Sequence, residues 1–475
     1  MARSGPLRAA LTTLGCRVNF SETDLLRGRF QAAGYRLVDF DEEADLYIVN
    51  TCTVTHVADR KSRQMLRRAV RRNPRALVVA VGCYADVAPE TLRQIQGVDL
   101  VVGREEESLL VGRVSAALRA RGMQTPASTD DRAAILSPAS PARALIKVQD
   151  GCDNRCAYCI VCIARGPSRS RPAQKIMAEI QCMERLGHRE IILTGVNLGV
   201  YRDARVGDLA GLARRILQET AIERIRFSSI EPQDFPVNLL DLWPEDRLCR
   251  HFHLPLQSGC DRTLARMGRH YRLEDYRALL EQIRRRVPDV GLTTDILVGF
   301  PGETEADFAE SVAAVAALPL NGLHIFPFSK RPGTAAATMP DHVPPPLRRQ
   351  RCEQMHQLAR RLARSFRQTF VGKDLAVLWD GRRGQEWSGL SDNYLRVATT
   401  VEGSWLSQIT RTRITGLDGA VLQGKIVDPT SGHRAAETVP WFGQKPQPPL
   451  PDRPRLPAEG DWSNRRFCCI MQQNR

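Results

Sequence analysis

Four cysteines fall within eleven residues in the stretch GCDNRCAYCIVCIARG (151–166), and this feature restricts the possible folds more than any other. The first three have the spacing Cys152-x3-Cys156-x2-Cys159 and directly follow a predicted strand. Three thiolates on one tight loop can hold three irons of a 4Fe–4S cluster, and the fourth iron then needs a ligand from outside the loop. An open metal position is typical of a catalytic site, whereas a structural site fills every position.

A closed zinc or iron–sulfur site, with Cys162 as the fourth ligand, is the alternative. Zinc sites usually separate their two cysteine pairs by a longer loop, and four thiolates on one short loop are hard to wrap around one ion. We therefore expect Cys152, Cys156 and Cys159 to be the ligands and Cys162 to be a bystander.

Length and charge limit the class of protein. A chain of 475 residues is too long for one compact core, so we expect two or three domains. Thirteen cysteines without a predicted secretion signal favour metal or redox use over disulfides. The longest apolar run (76–85) is far too short to span a membrane, so we expect a cytoplasmic protein with no membrane partner.

The formal net charge of +15 favours a polyanionic partner, and nucleic acid is the leading candidate. A basic composition that only keeps the protein soluble is the alternative. Clustering of the charge argues against that alternative, because basic residues concentrate in two predicted helices (60–75 and 347–370) and in the loop 165–171.

Strand-like and helix-like stretches alternate along two parts of the chain, which predicts an α/β fold. Residues 8–120 read as an N-terminal parallel α/β domain. Residues 138–368 contain six further strand–helix units, which predict a partial (β/α)6 barrel because eight units usually need about 250 residues. The fourth of these strands carries His251 and His253, which we expect to point to opposite faces and to have structural roles.

The C-terminal region has a different pattern. Within residues 371–436, three strand-like stretches (374–380, 389–399 and 420–428) predict a small all-β barrel. Residues 125–142 predict a linker. The tail 437–475 is rich in proline and poor in apolar residues, so we expect disorder there, with no role assigned to Cys468 and Cys469.

Three further cysteines stand at the predicted C-terminal ends of strands, in TLGC (Cys16), VNTC (Cys52) and AVGC (Cys83). The C-terminal ends of strands in a parallel sheet share one edge, where ligand sites collect. A buried structural cysteine is the alternative for any one of them. Because the same placement occurs three times, we expect three converging thiolates.

These motifs resemble those of the radical S-adenosylmethionine superfamily, in particular its methylthiotransferases. The similarity rests on the cysteine loop with Tyr158 at the usual aromatic position, on TLGCRVN, VNTCTVT and VGCYA, and on later motifs such as LTGVNLGVY, SSIEP, HLPLQSG and FPFSKRPGTAA. It covers about residues 8–430. The family usually has Pro-Tyr where this chain has Cys162-Ile163. The small β domain resembles the TRAM module, which contacts RNA in this family, although residues 371–428 contain seven basic and seven acidic residues.

The resemblance implies two 4Fe–4S clusters and S-adenosylmethionine as cofactors. The first cluster would sit on Cys152, Cys156 and Cys159 and cleave S-adenosylmethionine to a radical that removes a hydrogen from the substrate. The second would sit on Cys16, Cys52 and Cys83 and deliver sulfur, while a second S-adenosylmethionine donates the methyl group. Loops at the C-terminal edge of the barrel should contact the cofactor, and the candidates are Tyr158, Gly195, Asn197, Ser229 and Gln257.

The segment NTCTVTHVADRKSRQ (50–64) resembles the branch that acts on threonylcarbamoyladenosine. We therefore expect methylthio transfer to C2 of N6-threonylcarbamoyladenosine next to the tRNA anticodon. The expected partners are the anticodon stem-loop, an electron donor such as flavodoxin or ferredoxin, and a sulfur source. The alternatives are the isopentenyladenosine branch, a ribosomal-protein methylthiotransferase, which like-charge repulsion disfavours, and a non-catalytic iron–sulfur RNA-binding protein.

Overall fold

The computed structural model describes residues 6–125, 138, 140, 142–243 and 245–428. Most of the predicted linker and the whole predicted tail, with Cys468 and Cys469, lie outside the described residues. Within the part of the chain that is described, no helix is both long enough and apolar enough to cross a membrane.

The N-terminal part is a parallel sheet with the strand order β2-β1-β3-β4-β5 and an apolar core on each face. Every residue of β3 and β4 is buried, which explains their nearly continuous apolar sequences. The short edge strand β2 was not predicted. The strands are β1 Arg8–Thr13, β2 Arg36–Val38, β3 Leu46–Thr51, β4 Leu77–Gly82 and β5 Leu100–Val101, and the helices are α1 Arg17–Ala32, α2 His56–Arg72, α3 Cys83–Val87, α4 Pro89–Arg93 and α5 Leu110–Ala120.

The middle part contains six parallel strands in two three-stranded sheets, called here the central barrel. Two isolated bridges, Ile225–Leu248 and Ser229–His253, join the sheets. The strands are β6 Arg143–Lys147, β7 Gln149–Asp150, β8 Arg169–Ser170, β9 Glu190–Thr194, β10 Arg224–Phe227, β11 His251–His253, β12 Gly291–Val298 and β13 Gly322–Pro327, of which β7 and β8 form a separate antiparallel ribbon. The helices are α6 Val161–Arg165, α7 Ala173–Arg185, α8 Leu209–Glu219, α9 Asp261–Arg266, α10 Leu273–Arg286, α11 Glu305–Ala317 and α12 Pro345–Gln368. The six predicted strands of this part are therefore confirmed.

The last part is a closed five-stranded barrel, called here the small barrel, with the order β14-β15-β16-β18-β17. Its strands are β14 Asp374–Arg383, β15 Glu386–Ser391, β16 Arg396–Thr399, β17 Ile409–Asp418 and β18 Val421–Asp428. The single strand predicted over 389–399 is wrong, because the chain turns between β15 and β16. The Ser391 hydroxyl accepts the Leu395 N–H at 2.8 Å, and Tyr394 adopts a left-handed φ of 71°.

This turn of the small barrel closes the end of the central barrel opposite to the cysteine loop. The Tyr394 ring stacks on His251, with 4.2 Å between ring centroids, and Arg226 donates to the carbonyl oxygen of Asp392 at 3.0 Å. His251 and His253 both bond to side chains of β12, so the expectation that they point to opposite faces is wrong. Residues two apart on a strand share a face.

Candidate metal centres

The cysteine loop (151–166) lies at the C-terminal end of β6. The Cys152 N–H donates to the Gly166 carbonyl at 3.1 Å, and the Cys159 N–H donates to the Cys156 carbonyl at 2.9 Å. The middle of the loop is held on the central barrel by the N–H of Ala157, which donates to a backbone carbonyl after α9 at 2.8 Å. These bonds hold the three predicted ligands on one compact turn.

Burial raises the pKa of Cys152 to about 12, and it also raises the pKa values of Cys156 and Cys159. Neighbouring thiols add to each rise: Cys156 acts on Cys152, both of these act on Cys159, and Cys162 acts on Cys156. Without iron these groups are thiols at neutral pH, whereas a bound metal cation favours the thiolates. Cys162 also contributes to the rise at Cys152 and Cys159, so its proximity does not distinguish it from the other three, and its bystander role stays a prediction.

The three N-terminal cysteines follow neighbouring strands, with Cys16 after β1, Cys52 after β3 and Cys83 after β4. The thiols of Cys16 and Cys83 lie 3.6 and 3.8 Å from the same atom, Oδ1 of Asn19. Burial raises the pKa of Cys83 to about 11 and that of Cys52 well above its usual value, and the other two thiols add to the rise at Cys52. The structure thus brings the three residues to one edge of the sheet.

Two glycines explain part of these motifs. Gly15 and Gly82 directly precede Cys16 and Cys83 and have φ values of +112° and +88°, which favour glycine. A Cβ on Gly15 would lie 3.1 Å from the Cys52 sulfur, and a Cβ on Gly82 would lie 2.7 Å from the carbonyl oxygen that precedes Cys52. Side chains at either position would push these backbones apart and separate the thiols.

One buried arginine joins the two cysteine sites. Arg165, 2% exposed at the end of α6, donates to the two carboxylate oxygens of Glu22 at 3.0 Å each. It also donates to Asp150 at 2.7 Å, just before the cysteine loop, and to Oδ1 of Asn19 at 2.5 Å. This Asn19 oxygen is the atom that lies beside the thiols of Cys16 and Cys83. The sequence analysis placed Arg165 in the basic loop 165–171, whereas the structure buries its side chain in ion pairs.

A second buried arginine, Arg269, lies against the cysteine loop. One guanidinium nitrogen is 3.3 Å from the Cys156 sulfur, and the group is also ion-paired with Glu231. Burial raises the pKa of Tyr158 well above its usual value, and Arg269 partly opposes that rise. Sequence reasoning missed Arg269 because it belongs to no recognised motif and lies 113 residues from Cys156.

Two predicted cofactor contacts follow β9. The N–H of Gly195 lies 3.4 Å from the Ser228 hydroxyl, and the buried Asn197 donates its amide to Asp234 at 2.7 Å. The same Asp234 oxygen accepts from Asn154 of the cysteine loop at 3.3 Å. These bonds place the loop after β9 beside the predicted iron–sulfur site.

The other two predicted contacts lie on neighbouring strand ends. The Ser229 hydroxyl, after β10, is 2.7 Å from Nδ1 of His253. Gln257, after β11, is buried with a φ of 72°, and its N–H donates to the carbonyl of Asp295 on β12 at 2.8 Å. All the predicted contact residues therefore surround the C-terminal edge of the central barrel.

The fold and the two cysteine sites define a radical S-adenosylmethionine enzyme with an additional N-terminal cysteine domain. Residues 146–315 match the Radical SAM superfamily, and residues 8–103 match the Uncharacterized protein family UPF0004. Among solved structures, the radical S-adenosylmethionine methyltransferase TsrM from Kitasatospora setae shares the fold, with a TM-score of 0.51, 17% identity, and coverage of 71% of this chain and 77% of that one.

Curated relatives narrow the class to a family. The chain is 34% identical to the threonylcarbamoyladenosine tRNA methylthiotransferase MtaB of Bacillus subtilis (strain 168), over 85% of this chain and 93% of the relative. It is also 34% identical to the tRNA-2-methylthio-N(6)-dimethylallyladenosine synthase of Syntrophotalea carbinolica, over 79% of this chain and 89% of the relative. The chain belongs to the radical S-adenosylmethionine methylthiotransferase family and is a transferase.

Proposed function

We propose that this protein adds a methylthio group to C2 of N6-threonylcarbamoyladenosine next to the tRNA anticodon, with two 4Fe–4S clusters and S-adenosylmethionine as cofactors. The observation that carries the proposal is the presence of two separate three-cysteine sites, at the sheet edge and in the cysteine loop, joined by Arg165. The likeness to MtaB and the segment 50–64 support the threonylcarbamoyl substrate. Because a dimethylallyladenosine synthase is equally identical, that substrate is the second candidate.

The residues at both sites fit such clusters. Each site offers three cysteine sulfurs, and three thiolates leave one iron of a 4Fe–4S cluster open. When bound, the first cluster supplies the electron that cleaves S-adenosylmethionine, and the second holds the sulfur to be transferred. The protein excludes water by burying Cys52 and Cys83. It also places the guanidinium groups of Arg165 and Arg269 close to the two sites, where they offset the negative charge of the thiolates.

The C-terminal edge of the central barrel is the proposed place for S-adenosylmethionine. Tyr158, Gly195, Asn197, Ser229 and Gln257 are the proposed contacts. The hydrogen bond that joins Asn154 to Asp234 supports this, because it holds the loop after β9 against the cysteine loop. Residues of both loops would therefore hold the cofactor there.

The tRNA is proposed to bind through exposed arginines of α2 and α12 and not mainly through the small barrel, which is neutral and partly occupied in closing the central barrel. On α12, Arg349, Arg360, Arg361 and Arg364 are exposed, whereas Arg348 donates to the Phe328 carbonyl at 2.6 Å. An electron donor such as flavodoxin or ferredoxin, a sulfur source, a cytoplasmic location and the domain limits 8–120, 138–368 and 371–436 complete the proposal.

Mass spectrometry of tRNA nucleosides tests the substrate. A strain lacking this protein should lose the 2-methylthio form of threonylcarbamoyladenosine and keep the unmodified precursor. Plasmid-borne wild type should restore it, and a Cys152→Ala/Cys156→Ala/Cys159→Ala variant should not. Loss of methylthio-isopentenyladenosine instead would favour the second candidate. An unchanged tRNA profile with an altered ribosomal-protein mass would overturn the proposal.

Iron analysis tests the two sites independently of the substrate. The same triple variant should keep about half of the iron and should not release 5′-deoxyadenosine from S-adenosylmethionine under dithionite. A Cys16→Ala/Cys52→Ala/Cys83→Ala variant should also keep about half but still cleave the cofactor, because each site has its own three ligands. Cys182→Ala, on α7, is the matched control and should change neither value. Complete loss of iron from either triple variant would refute two separate sites.

A further inference from the structure

A group of polar side chains lies inside the central barrel, and the function proposed above uses only one of them, Ser229, as a proposed contact of S-adenosylmethionine. Neighbouring elements contribute one side chain each: Ser229 follows β10, His253 ends β11, Asp295 lies in the middle of β12 and His324 lies on β13. Asp295 and His324 are direct partners across the β12–β13 pair, and Ser229 and His253 are partners in an isolated bridge. His253 is paired in register with Thr293, and Asp295 lies two residues further along β12 on the same face, so the four side chains lie beside one another and are called here the polar layer.

The contacts within this layer are close. Oδ1 of Asp295 lies 3.0 Å from Nε2 of His253 and 3.1 Å from Nδ1 of His324. The three potential ligand atoms all lie within 4.8 Å of one another. Two ligand atoms on a tetrahedral zinc ion, with bonds of about 2.0–2.1 Å, are about 3.3 Å apart. Each nitrogen–oxygen pair would thus need to separate by only a few tenths of an ångström to receive an ion.

The charge of the layer also favours a cation. The Asp295 carboxylate, 13% exposed, has the two imidazoles as its side-chain partners. The two imidazoles bond the same carboxylate oxygen, Oδ1, from the strands on either side of β12. A buried anion needs a nearby positive charge, which either a protonated imidazole or a metal ion can supply.

Ser229 gives His253 the outer partner that metal-binding histidines usually have. Its hydroxyl lies 2.7 Å from Nδ1 of His253, which leaves Nε2 to face Asp295. Such outer bonds fix the orientation and tautomer of a ligating imidazole. The site is also reachable, because the His324 side chain is 27% exposed.

We propose that His253, Asp295 and His324 form a binding site for one divalent first-row transition-metal ion inside the central barrel. Two imidazoles and one carboxylate are a donor set that suits Zn²⁺ or Fe²⁺. Three protein ligands leave a coordination position open to an oxygen ligand from water or substrate. Since all three ligands lie on strands, the sheet holds them rigidly. This site is independent of the proposed tRNA substrate.

Zinc binding to the cluster-loaded protein tests the site. Wild type is reconstituted anaerobically, incubated with a small excess of Zn²⁺, desalted and analysed for zinc and iron. We expect one more zinc per chain in wild type than in Asp295→Asn or His324→Gln, with equal iron in all three. Asn keeps the shape and hydrogen-bond acceptor of Asp, so the cluster absorbance and melting temperature of that variant show whether it folds. Ser229→Ala should bind zinc about 10–100-fold more weakly without losing it.

X-ray absorption at the zinc edge decides where the metal sits. A first shell of nitrogen and oxygen at about 2.0–2.1 Å supports the proposal, whereas sulfur at about 2.3 Å places the zinc on cysteines and overturns it. His342→Gln, at an exposed position before α12, is the control and should bind as wild type. Equal zinc in wild type and in the Asp295 and His324 variants would also overturn the proposal and leave a protonated imidazole as the counter-charge of Asp295.

Discussion

Replacing Arg165 with methionine should loosen α1 from the central barrel while leaving the six cysteines unchanged. The substitution keeps the apolar length of the side chain but removes a guanidinium that bonds Glu22, Asp150 and Asn19. Removing one partner of a buried ion pair costs about 3–5 kcal/mol, because the other charge remains buried and uncompensated. Lys147 stays within 2.9 Å of Glu22 and 3.3 Å of Asp150, so we expect the lower end, about 3 kcal/mol.

Native-state hydrogen exchange of the cluster-loaded protein measures this loss locally. A cost of about 3 kcal/mol corresponds to about 100-fold less protection of the backbone amides of α1, because 1.4 kcal/mol is a factor of ten. A local measurement is needed because a chain with several domains does not unfold in one step. Glu22→Gln should give a similar loss, and the double variant should lose less than the sum of the two.

The matched control is Arg185→Met, which removes an exposed arginine at the end of α7 and should leave the protection of α1 unchanged.

The ion pairs with Arg165 hold the pKa of Asp150 at about 2, and they lower the pKa of Glu22 against the effect of burial. These two carboxylates therefore stabilise the contact between α1 and the central barrel fully at pH values above their ordinary pKa values. This stabilisation is lost only as the pH falls toward about 2. If the α1 amides of Arg165→Met exchanged within threefold of the wild-type rate, Arg165 would not hold the N-terminal domain on the central barrel.

Three further results are expected. Cys162→Ala should keep the iron content and the cofactor cleavage of wild type, and a loss of iron as large as in Cys159→Ala would make Cys162 a ligand. In the apoprotein, Cys83 should be alkylated at pH 8 about 100-fold more slowly than an ordinary thiol, because burial raises its pKa from 9.0 to about 11. Mass spectrometry should show the alkylation rate rising tenfold per pH unit. The exposed arginines of α12 are Arg349, Arg360, Arg361 and Arg364, and replacing them should weaken the binding of many tRNAs alike. The salt slope of log K should fall by roughly 0.7–0.9 for each phosphate that is no longer neutralised. An unchanged slope would show that tRNA binds another surface, and α2 would be the next candidate.

Spacing along the chain was enough to predict where the cysteines meet. Cys16, Cys52 and Cys83 each follow a strand of one parallel sheet, and the geometry of such sheets brings the C-terminal ends of its strands together. The groups around the thiols could not be predicted in this way. Arg165 and Glu22 are 143 residues apart and belong to different parts of the chain, so their contact depends on how those parts pack. No local pattern marks either residue as buried.

The turn between β15 and β16 shows a different limit. The stretch GLSDNYLRVAT alternates apolar and polar residues well enough to predict one strand, but Ser391 and Tyr394 instead make a tight turn. The signal for the turn was present, because Asp and Asn side chains favour turns. The tertiary contact of this turn could not be predicted, because the Tyr394 ring packs on His251, a residue 143 positions earlier in the chain.

The same turn connects the small barrel with the N-terminal cysteine site. The hydroxyl of Tyr394 accepts a hydrogen bond at 2.9 Å from Arg17, which directly follows Cys16. Arg226, on β10, donates to the carbonyl oxygen of Asp392 in that turn at 3.0 Å. Residues of all three parts therefore meet at one end of the central barrel, while Arg165 joins two of them near the other end. Because the parts are fixed to one another at both ends, the distance between the two cysteine sites is set by the fold before any substrate binds.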